Sequence, residues 1–169
     1  MTIGPSPRAS SVLPCRRTDT MTSLPLALDA VVLDLDVDSA EAVLAELARL
    51  LSQQSGAPAD AVRQALQERE QQGSTAIGHG VAVPHARSTE VREPVAAALR
   101  SRHPVAFAAP DGEAVQIFIA LLVPADATTG HLEILSDLAS RLMREDLREA
   151  VRTVPEAASF HRLLVDARG

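Results

Sequence analysis

Val115-Gln116-Ile117-Phe118-Ile119-Ala120-Leu121-Leu122-Val123, closed by Pro124, is a nine-residue run interrupted by one polar side chain. A strand with one wet face alternates apolar and polar residues. A run that is apolar at both parities fits a central strand buried on both faces, which requires helices on either side. Downstream, Leu132, Leu135, Leu138, Ala139, Leu142 and Met143 recur at helical spacing, with Thr128 or Thr129 as cap and His131 in the first turn. Two short helices, near Asp146–Val151 and Pro155–Val165, complete the chain. Upstream, Val95–Arg100 and Val105–Ala108 read as strands separated from the run by the turn Pro110-Asp111-Gly112. Asp38-Ser39-Ala40-Glu41 has the form of a capping box ahead of an amphipathic helix ending near Gly56. A second helix runs from about Pro58 to Gln71, with Val62, Ala65, Leu66 and Arg69 on one stripe. Helices alternating with short strands around a buried strand predict an α/β fold, with helices on both faces of the sheet.

Length and composition bound what the chain does. Its 169 residues, 46% hydrophobic and 22% charged, suit one globular domain. No apolar stretch reaches the ~18–20 residues of a membrane span. A net charge of −6 without Trp or Tyr argues against nucleic acid as a partner. All 16 basic residues are arginine, which excludes a Walker-type phosphate lysine, a Schiff-base lysine and pyridoxal phosphate chemistry. The only cysteine, Cys15, leaves no intrachain disulfide and no C-x-x-C pair, and the cytoplasm is the expected compartment. Residues 1–24, with three of the eleven prolines and no continuous apolar segment, read as a disordered extension rather than a secretory signal. Met21 is an alternative start, and residues 25–169 form the expected domain.

Between the second helix and the first short strand lies Gly73-Ser74-Thr75-Ala76-Ile77-Gly78-His79-Gly80-Val81-Ala82-Val83-Pro84-His85-Ala86-Arg87. Three glycines in eight residues permit close backbone approach, Val81 and Val83 suggest a short strand stopped by Pro84, and His85 is expected just past its end. Of five histidines, His85 stands out at the mouth of this loop, where N–H groups can converge on an anion. His131, in a helix first turn, is the second. Arg69 is either a helix C-terminal cation or an anion clamp, and the Ser74 and Thr75 hydroxyls are either turn caps or phosphate donors. A rival constellation is a metal site of His79, His85 and His131 with Asp126 or Glu133, whose spacing matches no standard zinc signature. Gly-x-Ser-x-Gly is absent, which disfavours a serine hydrolase.

The stretch from Arg69-Glu70-Gln71-Gln72-Gly73-Ser74-Thr75 through Val83-Pro84-His85 resembles the signature of type-2 enzyme IIA domains of the phosphoenolpyruvate-dependent phosphotransferase system. Val31–Leu35, Pro104–Phe107, Asp111-Gly112, Leu121–Asp126 and His131-Leu132 extend the likeness over about residues 25–166, and it leans to the nitrogen-regulatory branch. The resemblance implies a three-layer sandwich with a mixed sheet and a phosphoryl-carrier function. His85 then corresponds to the transiently phosphorylated histidine, with Arg69 and His131 beside it, and the physical reading adds the Ser74 and Thr75 hydroxyls as phosphate-binding groups that stabilise the transferred charge. It further implies no cofactor and no metal, and a histidine-containing phosphocarrier protein as donor. A regulatory target, or a IIB component in the fructose or mannitol alternative, is the acceptor. A binding module of the same fold that is never phosphorylated is the other alternative, and a monomer or weak dimer is expected. The family often has Gly at the position of Ala76 and Asn at that of His79, so a slightly different loop and an added titratable group beside the site are expected.

Overall fold

The apolar run forms a strand over Val115–Pro124 in which every residue but Gln116 is buried. The computed structural model describes residues 23–127 and 130–166. In chain order the elements are β1 (Leu26–Leu35), α1 (Ala40–Ser55), α2 (Ala59–Gln71), β2 (Ala76–Gly78), β3 (Val81–Ala82), β4 (His85–Ser88), β5 (Val95–Val105), β6 (Val115–Pro124), α3 (Gly130–Leu142), α4 (Glu145–Thr153) and α5 (Ala157–Val165). The strands described make one mixed sheet in the order β1-β5-β6-β3-β2, with β4 also paired to β6. β5 is antiparallel to β6, while β3 and β4 run parallel to it and β1 runs parallel to β5.

Ala96 to Leu99 and Ile117 to Leu122 are all 0% exposed. Successive strand residues point to opposite faces, so both faces are covered. α1, backed by α2, packs on β5, β1 and β6, while α5 lies on β1 and α4 on β6. This is the three-layer α/β sandwich with a mixed sheet that the sequence implied.

Four local details differ from expectation. His85 does not stand past a strand end. Val81 pairs with Ile117, Ala82 with Phe118 and His85 with Leu121 in one unbroken register, so His85 opens the second half of an interrupted strand. Pro84 lacks a donor, yet its carbonyl accepts from Leu121 N at 2.9 Å, so the ladder loses little there. The two strands expected over 95–108 are one, β5, with a register shift between Arg100 and Val105 that absorbs the break in the pattern. The α1 cap is Ser39, whose hydroxyl accepts from Ala42 N at 3.3 Å, one residue later than the capping-box reading. Leu24, at the end of the expected extension, is only 5% exposed and belongs to the core. The rest of that extension through residue 22, and the proposed caps Thr128 and Thr129, lie outside the described residues.

Arginines close the C-terminal ends of the last three helices. Arg148 donates to the carbonyls of Leu142 and Met143 at the end of α3. Arg141 reaches those of Leu164 and Leu163 in α5, at 2.8 and 3.0 Å. Arg100, only 4% exposed, reaches Val151, Arg152 and Val154 at the end of α4 and forms a two-pronged ion pair with Asp34, both bonds 2.9 Å. Each cation meets the negative end of a helix dipole and satisfies carbonyls left without intrahelical partners.

Candidate functional site

β4 lies along one flank of β6, with α2 packed on it, and its alternation sets the site. His85 and Arg87, two residues apart, project to the same face. α2 supplies Arg69 from its last turn, and α3 supplies His131 from its first. These four side chains line one cleft of about 380 Å³, with Leu132 and Leu135 along its apolar side.

The hydrogen bonds specify the proton positions. His85 Nδ1 lies 2.9 Å from the carbonyl oxygen of Val83, which can only accept. The ring proton is therefore on Nδ1, and Nε2 carries a lone pair. Arg69 Nε donates to that Nε2 at 3.3 Å, while Arg69 Nη1 holds the Gly73 carbonyl at 2.9 Å. Burial is the main cause that holds His85 below the ordinary value of 6.5, and the charge of Arg69 adds to it against the opposing pull of the Val83 carbonyl and Glu70. At neutral pH the ring is thus uncharged and nucleophilic at Nε2.

His131 is only 7% exposed, and its Nε2 lies 2.9 Å from Arg87 Nη2. A guanidinium only donates, so this nitrogen accepts and the His131 proton sits on Nδ1. Arg87 was not singled out from the sequence as a functional residue. Its signal was the two-residue spacing from His85, visible only once the strand is seen to continue beyond Pro84. Neither Arg69 nor Arg87 is in an ion pair among the described residues.

Ser74 and Thr75 are not brought to the His85 ring. Thr75 Oγ1 donates to Glu70 Oε2 at 2.5 Å, and its main-chain N–H reaches both Glu70 oxygens at 3.1 Å. Ser74 Oγ donates to the Phe107 carbonyl at 2.8 Å and accepts from Ala76 N at 3.2 Å. A hydroxyl has one proton, and both are committed to bracing the loop, so neither can donate to a phosphate in this conformation. Of the two, only Ser74 makes a turn-type contact, from Ala76 N, while the Thr75 hydroxyl is held by the Glu70 side chain.

His79 is likewise away from the cleft. It is an exposed turn residue at φ 54°, with its N–H on Asp111 Oδ2 at 2.6 Å. Histidine, like asparagine, tolerates this left-handed conformation better than most residues. At the next position Gly80, φ 73°, an added Cβ would come within 2.9 Å of Arg152 Nη2, which donates to the His79 carbonyl. Among the described residues no three His, Cys, Asp or Glu side chains are grouped to hold an ion, so the rival metal constellation does not assemble. No helix among them is long and apolar enough to cross a membrane.

A neutral imidazole whose lone pair faces the cleft under a long bond from Arg69, bordered by two guanidinium groups with no ion pair among the described residues, suits attack on an electrophile that arrives with negative charge. Comparison with known proteins points to the same chemistry. Residues 25–167 match the family described as phosphoenolpyruvate-dependent sugar phosphotransferase system, EIIA 2. The nitrogen regulatory protein of Pseudomonas aeruginosa is 37% identical over 131 residues, spanning 77% of this chain and 85% of the relative. The crystal structure of nitrogen regulatory protein IIA-Ntr from Neisseria meningitidis superposes with a TM-score of 0.81 at 40% identity, over 83% of this chain and 97% of that one. A fructose-specific EIIA component of Haloferax volcanii is 41% identical over 90 residues, 53% of this chain and 58% of the relative.

Proposed function

The chain belongs to the EIIA type-2 family of the phosphoenolpyruvate-dependent sugar phosphotransferase system, and from that premise we propose that His85 is its phosphoryl acceptor and that its role is regulatory. Membership makes the protein a phosphoryl carrier of EIIA type. One observation carries the assignment of His85: the Val83 carbonyl at 2.9 Å holds the proton on Nδ1 and leaves Nε2 unprotonated toward the cleft and Arg69.

In the step this supports, Nε2 attacks phosphorus in line as the bond from phosphorus to the donor's nitrogen breaks. The donor ring leaves with that electron pair, and the proton stays on Nδ1, hydrogen-bonded to the Val83 carbonyl, throughout. Charge spreads over three equatorial oxygens in the loose transition state, and Arg69 is placed to stabilise it. His131 is the second histidine of the site. Ser74 and Thr75 serve by holding the loop that carries the Gly73 carbonyl against Arg69. A histidine-containing phosphocarrier protein is the donor in this reading, and the cytoplasm, where such a donor is loaded, is the compartment. The nitrogen-regulatory relatives favour a regulatory target as the partner that reads the phosphorylation state, rather than a IIB component engaged in sugar uptake.

The test is intact mass after incubation with phosphoenolpyruvate, enzyme I and the histidine phosphocarrier, before and after brief acid treatment. One acid-labile phosphate, absent in His85→Ala, is the expected result. Normal labelling of His85→Ala on another histidine overturns the assignment. No added mass while the donor itself is phosphorylated favours the unphosphorylated binding module.

A further inference from the structure

We infer that Arg87 is a second charge-stabilising residue of the phosphoryl site, which exchanges its bond to His131 for the phosphoryl oxygens when His85 is loaded. The inference rests on the reading of His85 as acceptor and adds a catalytic residue to it. Three observations carry it.

The first is position. Arg87 and His85 share a face of β4 and line the same cleft, with Cα atoms roughly 6.6–6.8 Å apart at two strand residues. A guanidinium on a side chain of this length spans that interval. Arg69 comes from α2, whereas Arg87 comes from the strand itself, so the two cations approach the phosphoryl group from different elements.

The second is how loosely Arg87 is held. Its contacts are the His131 ring nitrogen at 2.9 Å and the Ala125 carbonyl at 3.4 Å, and it is in no ion pair among the described residues. A long bond to a neutral carbonyl and one to a neutral imidazole lack the charge–charge attraction that a phosphoryl dianion offers a guanidinium, which can also meet two of its oxygens with parallel N–H···O bonds. The side chain is exposed, so moving it breaks no core packing.

The third is the state of His131. Acceptance from Arg87 forces its proton onto Nδ1, which is buried and has no hydrogen-bond partner among the described residues. A buried donor without an acceptor is costly, so the unloaded arrangement holds an unfavourable tautomer in place. Departure of Arg87 frees Nε2 to take the proton while Nδ1 gives it up, with no net proton gained or lost. Phosphorylation of His85 is thereby read out at a second histidine.

Transfer to His85 is unchanged in its balance. The bond from phosphorus to the donor nitrogen breaks, the bond to His85 Nε2 forms, and Arg87 contributes only hydrogen bonds and charge.

The experiment uses the full chain and phosphoramidate as a small phosphoryl donor, so that docking of a donor protein plays no part. Loading is followed by intact mass, and the His131 ring nitrogens by NMR of protein labelled with ¹⁵N-histidine. The expected result is loading of Arg87→Gln slowed by about 10- to 100-fold, with partial recovery in Arg87→Lys. The His131 Nε2 signal should move on loading of the native chain and stay put in Arg87→Gln. Loading of Arg87→Gln within twofold of the native rate, with the native chain loaded on His85, overturns the inference and leaves the acceptor assignment intact. A native chain that takes no phosphoryl group, or takes it equally well as His85→Ala, overturns both.

Discussion

Two sets of arginines divide the labour of this chain. Arg100, Arg141 and Arg148 end on main-chain carbonyls at the C-termini of α4, α5 and α3. Arg69 and Arg87 end on imidazole nitrogens in the cleft. The first set meets acceptors that the fold fixes permanently, so its hydrogen bonds are part of the native structure's stability. The second meets nitrogens that, in the proposed role, change state during phosphoryl transfer, so its bonds would be exchangeable. In a chain without lysine, residue type cannot distinguish the two roles. The second set is marked by the imidazole nitrogen that each member meets beside a main-chain carbonyl.

The contrast is sharpest at Arg100. Replacing it by Met leaves three carbonyls at the end of α4 without their partner, while Asp34 is half-exposed and regains water, and the expected loss of stability is about 1–3 kcal/mol by urea unfolding. Loading per folded molecule should be unchanged. A loss below about 1 kcal/mol would show that the α4 end is satisfied by water instead. Arg69→Ala should behave in the opposite way, with loading slowed about 10²- to 10³-fold while stability changes by less than about 1 kcal/mol. A large drop in melting temperature with loading intact would move Arg69 into the structural set.

Arg148→Ala, measured by the same urea titration, should cost about 1–2 kcal/mol by exposing the end of α3 and leaving its carbonyls unpartnered. An unchanged midpoint would make this contact incidental. The smallest effect concerns His85 itself. Because its native value lies below 6.5, the unfolded chain binds the proton first on acidification. The group's contribution to stability is present above 6.5 and is lost as pH falls through its lowered native value. His85→Gln should flatten the stability profile in that window, and an unaltered profile would mean that the ring is not held neutral.

Much of this architecture is legible in the chain because it is written in local patterns. The both-faced apolar run found β6, and the 3.6-residue stripes found α1, α2 and α3. Arg69, His85 and His131 were marked by position in a loop mouth and at two helix ends. What escaped depends on distant partners. β2 and β3, three and two residues long, exist only because they pair with each other and with β6. The hydroxyls of Ser74 and Thr75 looked suited to phosphate because the carbonyl of Phe107 and the carboxylate of Glu70 that claim them are not recognisable as neighbours from spacing alone. Arg87 was hidden by Pro84, which looks like a stop in sequence and is only a missing donor in the sheet.

If His85 is the acceptor, as proposed, its bond to the Val83 carbonyl also decides the isomer of the modified residue. Phosphohistidine exists in a pros form, on the nitrogen nearer the main chain, and a tele form, on the farther one. With the nearer nitrogen engaged by the Val83 carbonyl two residues back, a chain loaded on His85 is expected to carry the tele isomer. The backbone that builds the sheet therefore also selects the regiochemistry of the phosphoramidate bond, and alkaline digestion followed by separation of the two isomers should return the tele form alone.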